Sequence, residues 1–446
     1  MAAGIRVQDS GCVGPWSLVL GPRAGVSLLE VLISIFVIMV GLLGIAAVIP
    51  VGRYTMVEIA KADRSGACGR AATRDVKVRA MVDPYQWLQP SYAAFPNLSF
   101  TPVCVKGTSD YLPYGESFAI DPLFIARSQL TYPASTPPAN RPSPDWFPYS
   151  PPYPAVPPGF TPAWPLQMRR VTLARIASAD WAVHRAVFDR MFTWQDDLAI
   201  PVPRDPAERP RQMMFCTDGS GYALPDPSVT ASPLHAQNQG DYTWMAVVSP
   251  AVTETGVFSG GPPPTDSSLA ARQRWSYTVS VVVWYKRDFA LPADLSSEEQ
   301  PPERMVTANL ASAGWGGGDV KLTAPLANPG WLNVRENQWL MLCGTTWRFG
   351  SPVPVRVYRW YRIVAADAEA AREPLAAPTR WARWVTLAGP DWSPTWCARN
   401  PAGNLIDTDN DGTALDAAAV ICDGVIGVYT TTMELDAQRQ AAISGP

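Results

Sequence analysis

The alternation of apolar and polar positions divides the chain into stretches of different character. From Val31 to Gly52 the run VLISIFVIMVGLLGIAAVIPVG holds no Asp, Glu, Lys, Arg or His. A helix needs roughly 20 apolar residues to cross a bilayer, and this run has that length. A soluble core helix would show a polar face every 3.6 residues, and this one shows almost none. A membrane helix is therefore expected over residues 26–52. Pro50 lacks an N–H and crowds the preceding turn, so a bend or local break is expected there, with the helix resuming afterwards. Residues 53–82 mix apolar and charged positions and read as an amphipathic helical extension, weakened by Gly66 and Gly69 and ended before Asp83-Pro84.

Residues 83–165 carry proline every few positions, interleaved with Tyr and Trp, as in PYSPPYPAVPPGF. That composition predicts polyproline segments and turns rather than a packed sheet. Leu166 to Leu198 starts like a strand and then reads as a helix around Ala179 to Phe192. Farther on, β-branched and aromatic residues between turn clusters predict strands over Tyr242–Val248, Arg274–Lys286, Gln338–Cys343, Val355–Val364, Ala382–Leu387 and Val425–Leu435. In RWSYTVSVVVWYK, Trp275, Tyr277, Val279, Val281, Val283 and Tyr285 share one face, while Ser276, Thr278 and Ser280 begin the other, as in a sheet packed on one side. The fold class expected is α+β: a long N-terminal transmembrane and amphipathic helix, then a β-rich, loop-rich globular domain over 166–446 with antiparallel sheet.

Composition narrows the function. In 446 residues, 47% are hydrophobic and 17% charged, which places the chain with folded proteins, and its 46 Pro promise many irregular connections. A net charge of −3 gives no basic footprint for nucleic acid. Catalytic signals are weak. His184 has no serine or cysteine motif beside it, and the adjacent Asp196 and Asp197 cannot straddle one bond as a glycosidase pair would. No nucleophile elbow, zinc motif or Gly-rich phosphate loop is present, and a non-catalytic protein is expected.

The segment before the apolar run carries the sharpest pattern: Pro22-Arg23-Ala24-Gly25, then Val26-Ser27-Leu28-Leu29-Glu30-Val31-Leu32-Ile33. Glu30 places a lone carboxylate at the mouth of a bilayer-length helix, where burial without a partner is costly. It either sits solvated at the headgroup level or has a partner. Residues Gly25 to Leu32, followed by Gly41-Leu42-Leu43-Gly44, resemble the cleavage and anchor motif of type IV prepilins and type II secretion pseudopilins, most closely PilV-type minor pilins or minor pseudopilins. The resemblance implies a 25-residue leader removed between Gly25 and Val26 by a prepilin peptidase. It also implies pairing of Glu30 with the new N-terminal amine of a neighbouring subunit, and a single-pass protein of the inner membrane with its C-terminal domain exported. The family usually has Phe where this chain has Val26, which leaves N-methylation of that residue open. An ordinary secretory signal would instead be cut near Gly44-Ile45-Ala46. Charge opposes the family orientation: Arg6 and Arg23 precede the span, whereas Arg53, Lys61, Arg64 and Arg70 follow it.

Two further features are candidates. Removal of the leader takes Cys12 from the seven cysteines and leaves an even number, in a compartment that permits disulfides. Cys397 and Cys422 bracket one polar loop and are the first pair to consider, while Cys68 and Cys343 read equally well as buried thiols. Inside that loop Asp407, Asp409, Asp411 and Thr413, with the turn at Gly412, match the first half of an EF-hand Ca2+ loop. Ala418 stands where the bidentate Glu belongs, so the same residues also suit a plain Asx-rich turn. Two functions remain in view: a non-catalytic subunit of a type IV pilus or type II secretion-like filament, and a signal-anchored surface adhesin or sugar-binding protein that does not polymerise.

Overall fold

The computed structural model describes residues 27–91, 99–103, 116–127, 144–149, 166–173, 188, 191–194, 198–199, 216–217, 223–224, 237–238, 241–251, 275–289, 291–292, 300–310, 317–325, 329–347, 354–373, 380–393, 396–398 and 416–435. The chain divides into two compact units, Met1–Ala60 and Lys61–Pro446. In the first unit, helix α1 (Leu28–Val78) opens with a stretch long and apolar enough to cross a membrane, none of it buried. The expected break at Pro50 does not occur, because α1 is continuous through it. Proline removes one hydrogen bond, whereas breaking a 51-residue helix would require a second costly nucleation. The extension ends a little earlier than expected, at Val78.

In the second unit the C-terminal part of α1 buries Ser65, Cys68, Gly69, Ala72 and Val76, a spacing of three and four residues that defines one face. This face packs on an eight-stranded sheet. The sheet is built from β1 (Trp87–Ser91), β2 (Ser99–Pro102), β3 (Phe118–Ile120), β4 (Trp146–Phe147), β5 (Met168–Leu173), β10 (Tyr242–Pro250), β11 (Trp275–Tyr285) and β19 (Val425–Leu435). Two-residue ladders join β6 (Leu198–Ala199) to β9 (Gln237–Asn238), and β7 (Cys216–Thr217) to β8 (Ala223–Leu224). The main order is β19-β11-β10-β3-β5-β1-β2, antiparallel except for the parallel pair β3–β5. The Pro-rich stretch thus supplies strands, contrary to expectation. Pro90 is tolerated because β1 pairs with β5 only at Trp87 and Leu88, so Pro90 has a ladder partner on one side alone.

The second sheet consists of β12 (Glu303–Leu310), β13 (Gly317–Pro325), β14 (Trp339–Trp347), β15 (Pro354–Ala366), β16 (Ala371–Glu373), β17 (Arg380–Ala388) and β18 (Ala417–Cys422). Pairing of β13 with β17, from Gly317–Ala388 to Pro325–Arg380, closes six of these strands into a barrel. The seam begins at Gly317, with φ +131°, where an added Cβ would lie 1.9 Å from the Leu387 carbonyl oxygen. No side chain fits there.

Alternation assigns the cores. Leu322, Leu342, Val357, Ile363, Val385 and Ala419 fill the barrel interior. Met305, Met341, Cys343, Tyr358 and Val420 face outward and meet Met245, Val247, Val282 and Trp284 of the first sheet. The opposite face of that sheet, with Val279, Val281, Val283, Ala246 and Val248, receives α1. Strand β11 is therefore packed on both sides at its C-terminal end, where a one-sided sheet was expected. Its Ser276 and Thr278 mark only the less covered N-terminal end.

Candidate functional site

Gly25 and Val26 lie outside the described residues. Helix α1 starts immediately after them, and its first turn explains part of the Ser27-Leu28-Leu29-Glu30 pattern. The Glu30 N–H donates to Ser27 Oγ (3.2 Å) and to the Ser27 carbonyl (2.9 Å), so Ser27 caps the helix and Glu30 occupies its third position. A carboxylate there opposes the positive end of the helix dipole. Glu30 is exposed, like every residue from Leu28 to Val51. The fold thus provides it with a local role in addition to any intersubunit one.

Attachment of α1 to the sheet rests on small residues. A Cβ on Gly69 would lie 2.1 Å from the Tyr429 ring, and one on Gly427 would lie 2.4 Å from Ser65 Oγ. Ser65 and Tyr429 share a hydrogen bond of 3.2 Å. Gly69, read from sequence as a weak point in the helix, is what lets helix and strand approach. Lys61 Nζ lies 5.1 Å from the Tyr285 ring centre and the Arg64 guanidinium 6.0 Å from that of Tyr242, adding cation–π contacts along the same helix.

Between sheet and barrel lies a buried quartet of charges that sequence reading missed. Asp121 follows β3, Arg170 lies on β5, Arg287 follows β11, and Glu303 opens β12 of the barrel sheet. Arg170 donates to Asp121 Oδ2 (2.5 Å) and Glu303 Oε2 (2.6 Å). Arg287 donates to both oxygens of Asp121 (2.9 and 2.6 Å) and to Glu303 Oε1 (2.8 Å). The Phe124 ring lies 3.8 Å from the Arg170 guanidinium and the Trp284 ring 4.2 Å from that of Arg287. Burial alone would raise the Asp121 carboxyl. The two arginines, with hydrogen bonds from Arg287 and from the Phe124 N–H, outweigh that and hold it below its ordinary value. Two cations are matched to two anions in a set buried from solvent, and it ties the layers together. In sequence its members stand in AIDP, MRRV, KRDF and PPER, four separated segments with nothing local to join them.

Cys397 and Cys422 are separate buried thiols, not the disulfide suggested by their spacing. Both neighbour β14, but at different levels. Cys397 bridges Thr345, whereas Ile421 pairs with Leu340, which places Cys422 at the level of Trp339. Six residues of strand at about 3.4 Å each separate those levels by roughly 20 Å, far beyond the Cα spacing of a disulfide. Asp407, Asp409, Asp411 and Thr413 lie outside the described residues, as do His184, Asp196, Asp197 and most of the helix expected at Ala179–Phe192, of which Phe188 and Met191 are helical. Among the described residues no group of three His, Cys, Asp or Glu side chains is placed to hold a metal ion. Comparison with protein-family models, curated proteins and solved structures finds no match for this chain.

Proposed function

We propose that this chain is a non-catalytic, prepilin-like subunit of a type IV pilus or type II secretion-like filament, of the minor pilin or minor pseudopilin kind. A prepilin peptidase would cut it between Gly25 and Val26. The observation that carries the reading is α1 itself. One continuous helix has an exposed N-terminal stretch, Leu28 to Val51, whose single charge is Glu30, while its C-terminal part packs Ser65, Cys68, Gly69, Ala72 and Val76 onto an antiparallel sheet. An apolar span without a covered face needs lipid or neighbouring helices, and a fitted C-terminal half makes the span part of the fold rather than a disposable signal. After cleavage the α-amine of Val26 would stand just before the Ser27 cap, where the helix dipole disfavours a cation. Glu30 of the same or a neighbouring subunit would offset that charge in an apolar filament core. The partners are then other pilin or pseudopilin subunits, with the N-terminus cytoplasmic and the β-rich unit exported from the inner membrane.

Mass spectrometry of the mature N-terminus tests the reading. A chain starting at Val26 supports it, an intact Met1 rejects the cleavage, and a start near Ala47 favours the alternative of an exported adhesin that does not polymerise.

A further inference from the structure

Three cations gather on one aromatic pair where α1 enters the second unit. Lys61 Nζ and Lys286 Nζ lie 5.1 and 5.4 Å from the same ring centre, that of Tyr285. Tyr285 is 5.3 Å from Tyr242, which holds Arg64 at 6.0 Å and stands 5.7 Å from the Trp194 ring. Arg64 and Lys286 are exposed, and Lys286 takes φ +52°, uncommon for a residue with a side chain. That turn sends Arg287 inward to the buried quartet while Lys286 remains outside. Tyr and Trp with Lys and Arg are the residues that settle at a membrane–water boundary.

We propose that Lys61, Arg64 and Lys286, with the half-buried Tyr285 and Trp194 resting on the buried Tyr242, form a docking site for anionic phospholipid headgroups. The inference rests on the reading that α1 is a membrane anchor. Lys61 follows Gly52, the last residue of the charge-free run, by nine positions. That link is about 13 Å long as helix and under roughly 32 Å if extended. A tether so short keeps the site at high effective concentration near the headgroups. Each Lys or Arg close to an anionic surface strengthens the association by roughly fivefold. Glu58 and Asp63 on α1, and Asp241 and Asp288 beside Tyr242 and Lys286 in sequence, temper the charge. Affinity therefore comes from aromatic seating as much as from cations, and it falls with salt.

The test uses the full chain in vesicles of phosphatidylcholine alone or with about one-third phosphatidylglycerol. Ala62→Cys, exposed and outside the cluster, carries a polarity-sensitive dye, with Cys12, Cys104 and Cys216 replaced by serine. Emission is expected to rise about twofold with phosphatidylglycerol and to fall back near 0.5 M salt, where screening extends only a few Å. The variant K61Q/R64Q/K286N is expected to lose the rise, and the barrel variant R362Q/R372Q to keep it. Equal emission in both vesicles, or equal loss in the barrel variant, overturns the proposal. Resistance to carbonate extraction reports on the anchor separately, so failure of docking and failure of anchoring are told apart.

Discussion

Gly69 illustrates how far a residue's meaning depends on its neighbours. In sequence it is a helix-weakening glycine. In the fold it is the point where α1 meets Tyr429, with no room for a methyl group. Gly69→Ala is accordingly expected to destabilise the second unit by about 1–3 kcal/mol despite alanine's better helix propensity, seen as a lower melting temperature. A gain in stability would show that the ring moves aside. Asp121 sets a second residue-scale expectation. Its folded-state pKa is depressed, so its contribution is fully present above its unfolded value of about 3.9 and is lost as pH falls through the lower folded value. Melting temperature should not vary with this group between about pH 5 and 8. Asp121→Asn leaves two buried arginines facing one carboxylate and is expected to cost about 3–5 kcal/mol at neutral pH, with a weaker acid limb than the parent protein. None of the quartet was legible in advance, because its members come from four distant segments and only burial separates them from surface charges.

Among the elements, α1 and six of the longer strands were legible, whereas β12 and β13, of similar length, and the short or unusual strands were not. The charge-free run needs no tertiary context, since length and composition already give a helix able to cross a membrane. Strands β10, β11, β14, β15, β17 and β19 were visible through their β-branched and aromatic residues. β18 was not, because Ala417-Ala418-Ala419 favours a helix by propensity. It becomes a strand because it runs between β12 and β14, with Ala417 and Ala419 turned into the barrel and Ala418 toward the first sheet. At the start of α1, Ser27→Ala should fray the first turn, and Ser27→Asp should preserve it. A loss of about 1 kcal/mol of local helix stability is expected for the alanine variant, read as faster amide exchange over Leu28–Val31 in lipid. Unchanged exchange would remove the cap from the account of Glu30.

Taken as a whole, the molecule joins an uncovered apolar helix to a sheet and a closed barrel stabilised by its own cores. If it assembles through α1, Glu30→Ala should reduce incorporation into filaments severalfold while leaving membrane insertion intact, measured by shearing filaments from cells and fractionating the rest. Normal incorporation would leave Glu30 with only its place in the first turn. The sequence by itself determined a long uncharged N-terminal helix with the length and composition to cross a membrane, and it indicated a β-rich remainder, because two-residue alternation survives without knowledge of partners. Only the tertiary structure decided that Pro50 leaves α1 whole, that proline-rich strands join the first sheet, that six strands of the second close at Gly317, and that Cys397 and Cys422 stay apart. Each depends on which segments lie side by side, and pairing across hundreds of residues leaves little local signature.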